Sequence, residues 1–291
     1  MKNITNLQSQ AKIQGRQLIS YEIFPPKGDL PLETARTVAA DLAALRPDFV
    51  SVTFSAGGSG NTQATSDVVQ MIQDDFDIPT MAHLTCYGAT KETIQDHIAD
   101  YRARGINNVL ALHGDPVPGV EPKDFRYARD LIEVLADEGF CVGAAAYPEG
   151  HVNCFSEEEN IRHLAEKQAA GANFFITQLF FDNDVFYRFW DKALNAGVSV
   201  PIEVGIMPFL SKSQITRMIF TCGASLPSPV VKLLNKYEHD EKALRQAGIE
   251  YACQQLIDLA DHGVDGLHIY VMNHADVAQA TTNALRQHFG E

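Results

Sequence analysis

A chain of 291 residues with a hydrophobic fraction of 45% is long enough to bury one large core without dividing into separate domains. Its formal net charge of −14 argues against nucleic acid and anionic membrane surfaces as partners, since both are bound through concentrated basic faces. Five scattered cysteines without CxxC spacing favour reduced thiols, and the sequence shows neither an apolar leader nor a run of about 18 apolar residues. We therefore expect a cytoplasmic protein with no nucleic-acid partner and no membrane partner.

Short β-branched or aromatic runs alternate with amphipathic stretches along the chain. Residues 3–14 predict an extra N-terminal helix, and eight strands follow at 17–24, 48–55, 80–86, 108–114, 141–147, 174–180, 202–207 and 266–272. Strands that alternate with helices form parallel βαβ units, and eight such units close into a barrel. We predict an α/β fold, a single TIM-type (β/α)8 barrel domain over residues 1–291. It has a helical extension at 1–15 and a proline-containing insertion at 223–240.

Alternation within the strands separates an apolar face from a small or polar one. In the first strand this places Glu22 on the inner face. In the fourth strand the same alternation assigns Ala111, His113 and Asp115 to the inside and Leu110 to the outside. Six polar side chains are then expected at the carboxyl ends of the strands, where they would form a pocket: Glu22, Thr53, His83, Asp115, Tyr147 and Gln178.

Two carboxylates stand at the carboxyl ends of predicted strands, Glu22 in LISYEIFPP and Asp115 in NVLALHGDP. Desolvating an unpaired carboxylate is costly, so an acid at the mouth of a barrel indicates catalysis. We interpret Glu22 as a general acid whose pKa is raised by burial, with a salt bridge to a neighbouring strand as the structural alternative. Asp115 would stabilise a cation or a cofactor ring, with a turn-forming aspartate before proline as its alternative.

Histidines and one cysteine could suggest a metal site. His83, His113, His151 and Cys154 lack the ligand spacing and company of such a site, and the histidines belong to separate strands or loops. We therefore predict no metal.

Two further motifs have competing explanations. The GGSG run at 57–60 lacks the spacing of a phosphate-binding loop and predicts a flexible loop over the barrel mouth. Lys167, supported by His151, is the better candidate for phosphate recognition. The SKSQ run at 211–214 matches a helix capping box, which competes with a ligand role for Gln214.

Taken together, seven motifs resemble those of the methylenetetrahydrofolate reductase family, in unbroken order from about residue 18: YEIFPP, FVSVTFSAGG, AHLTC, LALHGDPVPG, AAYPEGH, EKQAAGANFFITQLFFD and GLHIYVMN. The resemblance implies an FAD-dependent barrel that reduces 5,10-methylenetetrahydrofolate to 5-methyltetrahydrofolate with NADH or NADPH, for methionine synthesis. It implies that nicotinamide and folate take turns on one flavin face. A homo-oligomer of the short bacterial form, without a regulatory domain, is expected as well.

The resemblance also assigns roles to single residues. Glu22 matches the general acid that protonates the folate nitrogen released when the five-membered ring opens, and Asp115 matches the aspartate that stabilises the resulting iminium ion. The implied cofactor-binding residues are Thr53, Phe54, Ala56, His83, His113, Gly114, Asp115, Tyr127, Ala128, Tyr147, His151, Asn160, His163 and Lys167. The implied substrate-binding residues are Thr53, Asp115, Gln178, Gln214 and His274.

Four positions depart from the family pattern. His113 and His274 stand where arginines are expected, and a histidine is shorter and only partly charged at neutral pH. Asn160 replaces an expected aspartate, and Met218 lies where an aromatic residue that packs against folate is expected. Because these positions concern binding, we predict changed affinities and an unchanged reaction.

Two other functions compete with the reductase interpretation. A flavin barrel of the proline-dehydrogenase type would need an arginine pair near the last helix to bind the substrate carboxylate, whereas the sequence offers His274 and Arg286 there. A folate-binding methyltransferase or carrier barrel would keep a pterin pocket without FAD. Thr53, His83 and Lys167, which match FAD-contacting positions, argue against that second alternative.

Overall fold

The chain folds into a closed barrel of eight parallel strands surrounded by helices, which confirms the predicted fold class. Each strand pairs with its neighbours in sequence order, and the first pairs with the last, so that the sheet closes on itself. The computed structural model describes residues 3–26, 31–54, 63–116 and 118–290.

All eight predicted strands are present, and each begins within one residue of its predicted start. They are β1 Leu18–Ile23, β2 Phe49–Val52, β3 Thr80–Thr85, β4 Asn108–Leu112, β5 Cys141–Ala146, β6 Phe174–Thr177, β7 Ile202–Ile206 and β8 Gly266–Tyr270. Their predicted carboxyl ends extend one to three residues too far. After β6, for example, Leu179 and Phe181 are apolar and buried although they lie beyond the strand. Burial therefore continues past the end of strand pairing.

Helices follow the strands in the order that the sequence predicts. They are α1 Ile4–Ile13, α2 Leu32–Ala44, α3 Ala64–Phe76, α4 Lys91–Ala103, α5 Ala128–Asp137, α6 Glu157–Ala169, α7 Asn183–Asn195, α8 Lys212–Cys222, α9 Ser228–Lys236, α10 Glu241–Asp261 and α11 Ala275–Phe289. The insertion at 223–240 contains a helix of its own, α9, which begins after Pro227. In the part of the chain that the structure describes, every helix is too short or too polar to span a bilayer.

The predicted orientation of β4 is wrong by one residue. Leu110 points into the barrel and belongs to the interior apolar cluster, whereas Ala111 packs with the outer helices. After Asn108 both faces of this strand are apolar, so alternation carries little signal there. The polar residues that indicate an inner face in the sequence, His113 and Asp115, lie beyond the end of the strand, where the alternation no longer holds.

The N-terminal helix α1 closes the amino end of the barrel. Ile4 and Ala11 are fully or almost fully buried, in one apolar cluster with Phe49 and Phe174. The backbone amide of Ile4 donates a 3.0 Å hydrogen bond to Oδ1 of Asn108, at the start of β4. The predicted extension is therefore part of the barrel core.

We expect Ile4→Ala to lower the free energy of unfolding by about 2–5 kcal/mol, because it leaves a cavity beneath the barrel. Ile13→Ala is the matched control, since Ile13 lies on the same helix with 85% of its surface exposed. The control should change the free energy by no more than about 0.5 kcal/mol. Urea unfolding followed by circular dichroism measures both, and equal effects would contradict the role of α1 as part of the core.

Candidate active site

Glu22 lies at the carboxyl end of β1, between two histidines. Its Oε2 atom is 3.4 Å from Nε2 of His83 and 3.5 Å from Nε2 of His268. Both imidazoles are buried, whereas 18% of the Glu22 side chain is exposed. The acid therefore faces the barrel mouth while its supporting groups lie beneath it.

Serine hydroxyls hold the two imidazoles in place. Oγ of Ser51 lies 2.6 Å from Nε2 of His83, and Oγ of Ser20 lies 2.7 Å from Nδ1 of His268. Burial lowers the pKa of His83 to about 4, against the opposing charge of Glu22, so this imidazole is neutral at pH 7. Glu22 thus has a neutral imidazole 3.4 Å away on that side and no full countercharge.

A second carboxyl group lies deeper in the barrel and escaped the sequence analysis. Glu203 of β7 is completely buried. Its Oε1 atom accepts a 2.8 Å hydrogen bond from Nε2 of Gln8, and its Oε2 atom lies 3.4 Å from Oγ of Ser20. Burial raises the pKa of Glu203 to about 8, so the group is largely protonated at neutral pH. The one available signal was a glutamate inside the apolar run PIEVGIM.

The ends of β1 and β8 are tied together at the mouth. Oδ1 of Asn273 accepts a hydrogen bond from the backbone amide of Phe24, and Nδ2 of Asn273 donates one to the Phe24 carbonyl, each 3.0 Å long. Asn273 has a left-handed backbone, with φ at 58°. Sequence reasoning missed this residue, which fixes the chain two positions after Glu22.

A cleft of about 450 Å³ opens between the carboxyl ends of β4 and β5 and helices α5 and α6. Eight of the predicted cofactor-binding residues line it: His113, Tyr127, Ala128, Tyr147, His151, Asn160, His163 and Lys167. The structure therefore brings together most of that predicted set.

Lys167 and Tyr147 form the inner wall of this cleft. Nζ of Lys167 donates a 2.8 Å hydrogen bond to the carbonyl of Ala145 and lies 5.2 Å from the centre of the Tyr147 ring. Asn160 supports the same strand end, because its Nδ2 atom donates a 2.9 Å hydrogen bond to the Tyr147 carbonyl. Burial lowers the pKa of Lys167 to about 8, so most of the ammonium groups remain charged at pH 7.

Three arginines that sequence reasoning missed also line the cleft: Arg126, Arg129 and Arg162. Arg129 pairs with Glu166 at 3.2 Å and Arg162 pairs with Glu159 at 3.0 Å. With Lys167, four cationic side chains line one cleft together with the two paired glutamates, so the cleft keeps a net positive charge in a chain whose net charge is −14. Such a concentration of donors suits a diphosphate-bearing ligand.

Asp115 lies exposed beyond the end of β4, directly after Gly114. Gly114 has φ at 86°, and a Cβ atom there would lie 3.0 Å from Cβ of Thr85, so only glycine fits this turn. Burial raises the pKa of Tyr147 to about 12, and the negative charge of Asp115 adds to that effect. Asp115 therefore acts electrostatically on the cleft.

Tyr270 of β8 adjoins both groups of residues. Its hydroxyl donates a 2.7 Å hydrogen bond to the carbonyl of Thr177. Burial raises the pKa of Tyr270 well above its ordinary value, and the charge of Glu22 and the neighbouring Tyr147 contribute to that rise. The acid and the cleft are thus parts of one mouth.

The predicted glutamine ligands have local structural roles. Oε1 of Gln178 accepts a 2.9 Å hydrogen bond from the amide of Leu179. Gln214 is buried, and its backbone N–H donates a 3.1 Å hydrogen bond to Oγ of Ser211, which confirms the serine cap of α8. Oε1 of Gln214 accepts a 2.6 Å hydrogen bond from the amide of Leu210. Their contacts with a substrate stay predictions.

The remaining predicted residues are more scattered. Phe54 packs edge-to-face on His97 of α4, with the ring centres 5.6 Å apart, on the outer side of the barrel. Thr53 follows β2 and its amide donates a 3.0 Å hydrogen bond to the carbonyl of Ile23. His274 is exposed at the start of α11, and Ala56, like the GGSG run, lies outside the described residues. Within the described ranges, no group of three His, Cys, Asp or Glu side chains is arranged to hold a metal ion.

Comparison with known proteins gives consistent results. The family model described as methylenetetrahydrofolate reductase matches residues 6–286. A Schizosaccharomyces pombe protein named methylenetetrahydrofolate reductase 1 is 35% identical over 262 residues, which cover 87% of this chain and 43% of that protein. An Escherichia coli protein named 5,10-methylenetetrahydrofolate reductase is 33% identical over 279 residues, which cover 96% of this chain and 94% of that protein.

A solved structure shares the fold at low sequence identity. It is described as an uncharacterized protein from Clostridium thermocellum that binds two copies of 5-methyl-5,6,7,8-tetrahydrofolic acid. The two structures superpose with a TM-score of 0.67 at 17% identity, over 95% of this chain and 99% of the other. This likeness supports the barrel fold.

We expect Glu203→Gln to change the pH dependence of stability. The pKa of Glu203 is about 8 in the folded protein and about 4.5 when exposed, so the folded state binds the extra proton between these values. Wild-type stability linked to this group is complete below about pH 4.5 and decreases by up to about 1.4 kcal/mol per pH unit toward pH 8. The variant lacks this decrease. Urea unfolding at several pH values measures it, with the exposed Glu250→Gln as control, and parallel curves for wild type and Glu203→Gln would contradict a protonated Glu203.

Proposed function

The chain belongs to the methylenetetrahydrofolate reductase family, and we propose that it reduces 5,10-methylenetetrahydrofolate to 5-methyltetrahydrofolate with NADH or NADPH through bound FAD. The observation that carries this proposal is the placement of Glu22 at the barrel mouth, held by two buried histidines beside a cationic cleft. When bound, FAD supplies the redox chemistry, taking up electrons from the nicotinamide and passing them to the folate in a ping-pong sequence.

The cleft fits the diphosphate and ring systems of FAD. Lys167 and the three arginines would bind the diphosphate, while Tyr147 and His151 offer ring surfaces, packed edge-to-face with 4.8 Å between their centres. His113 replaces an expected arginine and packs against Tyr87, with the ring centres 5.5 Å apart. We propose that the cleft arginines offset the charge that this replacement removes.

Glu22 would act as the general acid of the folate half-reaction. Ring opening leaves a basic folate nitrogen, which needs a proton as its bond to the one-carbon group breaks. Glu22 can donate that proton at the mouth, where it remains partly exposed and where neutral His83 keeps the carboxyl group oriented. Asp115, at the same mouth, would stabilise the cationic iminium ion that results.

Folate would lie over the mouth, with Gln178, Gln214, Thr53 and His274 as further contacts. We also propose that residues 1–291 form one catalytic domain. A homo-oligomeric assembly, a cytoplasmic location and a role in methionine synthesis stay predictions of the resemblance.

The proline-dehydrogenase alternative needs Arg286 to bind the carboxylate of a substrate, but Arg286 is engaged elsewhere. Nη2 of Arg286 donates a 2.9 Å hydrogen bond to the carbonyl of Leu45, so this arginine joins α11 to the end of α2. The other candidate position, at the start of α11, holds the exposed His274, so the arginine pair that this alternative needs is missing there. A folate carrier without FAD would not require the cationic cleft.

We expect Glu22→Gln to keep FAD and its reduction by NADH, and to slow reoxidation by methylenetetrahydrofolate about 10²- to 10⁴-fold, because the variant has no proton to donate. Anaerobic stopped-flow absorbance of the flavin measures both half-reactions. The exposed Glu92→Gln on α4 is the control and should match the wild type. Unchanged reoxidation in Glu22→Gln would contradict its acid role. A wild type that binds no flavin when FAD is supplied would contradict the reductase itself.

We expect Lys167→Met to weaken FAD binding about 10- to 100-fold, the value of one hydrogen bond to a charged group. Equilibrium titration of the apoprotein with FAD, followed by flavin fluorescence, measures the dissociation constant. Lys192→Met is the matched control. Lys192 lies on the neighbouring helix α7, outside the cleft, and pairs with Glu157 of α6. Equal dissociation constants for FAD in the two variants would indicate that the diphosphate binds away from Lys167.

A further inference from the structure

One polar line crosses the barrel interior from α1 to Glu22. It runs from Gln8 to Glu203 at 2.8 Å, from Glu203 to Oγ of Ser20 at 3.4 Å, and from that oxygen to Nδ1 of His268 at 2.7 Å. Nε2 of His268 then lies 3.5 Å from Oε2 of Glu22. Carboxyl, hydroxyl, imidazole and carboxyl groups thus follow one another, and each can pass a proton to the next.

The inner end of this line favours a neutral carboxyl group. Glu203 is completely buried, and the negative charges of Asp48 and Asp265, which precede β2 and β8, oppose its ionisation. Asp48 is itself paired with Arg16 at 2.7 Å, and Lys12 acts on Asp265, so those two acids have their own cations. The hydrogen bond from Gln8 and the hydroxyl of Ser20 are the groups that favour the Glu203 anion.

Two further titratable groups near Glu203 in the described part of the chain are Cys141 of β5 and, on the other side of Ser20, His268 of β8. Burial raises the pKa of the Cys141 thiol, and the charge of Glu203 adds to that effect, so the thiol is neutral at pH 7. Burial raises the pKa of Glu203 itself to about 8. A proton is therefore stored on Glu203 at neutral pH, whereas Glu22 lies at the partly exposed mouth, within reach of solvent.

We propose that Glu203 is a positioning residue for the reductase reaction, a proton reserve that loads Glu22 through Ser20 and His268 when folate covers the mouth. The inference rests on the function proposed above and extends it to a residue without substrate contact. Folate binding removes water from Glu22, which makes its anion costlier. The proton shared by the two carboxyl groups then moves toward Glu22.

The transfer is balanced at every atom. The Glu203 carboxyl gives its proton to Oγ of Ser20, and the Ser20 hydroxyl gives its own proton to Nδ1 of His268. Nε2 of His268 gives its proton to Oε2 of Glu22. One proton has then moved from Glu203 to Glu22, and one negative charge has moved the opposite way. Solvent restores the proton through the open mouth after product leaves, by the same groups in reverse.

The histidine on the other side of Glu22 does not serve this purpose. Nε2 of His83 contacts Oγ of Ser51 at 2.6 Å, and burial lowers the pKa of His83 to about 4. It therefore holds no exchangeable excess proton at neutral pH. Its contact orients Glu22, whereas the path through His268 leads to a second acid.

The test compares the pH dependence of the two half-reactions in FAD-loaded wild type, Glu203→Gln and Ser20→Ala. Both variants should lose about tenfold or more in folate-dependent reoxidation near pH 8, part of the 10²- to 10⁴-fold effect of a general acid. The loss should shrink toward about pH 6, where solvent supplies the proton directly. Reduction by NADH should stay unchanged, since it needs no proton from Glu22.

Tyr21→Phe is the matched control for Ser20→Ala. Tyr21 follows Ser20 on β1, points outward, and its hydroxyl is hydrogen-bonded to Thr282. The control removes one buried hydroxyl from the same strand outside the proton path, so its pH profile should overlay that of the wild type. Thermal unfolding of all variants checks that each one is folded at the assay temperature.

Infrared difference spectra give a readout independent of turnover. A protonated carboxyl carbonyl band should be present in wild type and absent in Glu203→Gln. When 5-methyltetrahydrofolate binds to wild type, the band should shift in frequency, because the proton moves from the carboxyl group of Glu203 to that of Glu22. Absence of this band, or reoxidation profiles of both variants that overlay the wild type, would overturn the proposal while leaving the reductase function intact. An equal loss in both half-reactions at every pH would also overturn it, because that pattern indicates structural damage. A wild type without folate-dependent reoxidation would overturn the reductase function and the reserve together.

Discussion

Closure of the eight-stranded sheet is the constraint on which the site depends, because it excludes water and leaves interior polar groups only one another as partners. The register of the strands determines which of these polar groups lie next to one another. Ser20 stands opposite His268 in the pairing of β1 with β8, and Glu22 stands opposite Tyr270. Glu203 pairs with Gly266, two residues before His268 on β8, and the absence of a side chain there leaves room for the carboxyl group. A shift of any strand by one residue would break this arrangement.

The two ends of the barrel have different tasks. At the amino end, α1 covers large apolar side chains such as Phe49 and Phe174, which contribute stability. At the carboxyl end, polar residues surround Glu22 at the barrel mouth, and Tyr270 lies between them and the cationic cleft. Function is generally found at the carboxyl face of such barrels, where loops can vary without disturbing the core. The buried polar line from Gln8 to Glu22 joins the two ends.

Sequence reasoning found what depends on local pattern. β-Branched runs located all eight strands, and the cost of an unpaired carboxylate singled out Glu22. The inner face of β4 could not be predicted, because after Asn108 both faces of that strand are apolar. Arg162 escaped notice because its pairs with Glu159 and Glu166 have the spacing of an ordinary helix-surface ion pair. Arg129 escaped notice because its partner Glu166 lies 37 residues away on another helix. Glu203 was missed because its partners, Gln8 and Ser20, are 195 and 183 residues away in the chain. Only the closed fold brings such distant groups together.

The most direct test of the role of Glu22 is a crystal structure of the protein with FAD and 5-methyltetrahydrofolate bound. We predict that FAD lies in the cleft lined by Tyr147 and Lys167, with folate stacked at the mouth. The folate nitrogen that leaves during ring opening should lie about 3 Å from the Glu22 carboxyl group, or be joined to it by one water. A folate whose leaving nitrogen lies beyond the reach of Glu22 would contradict the central claim.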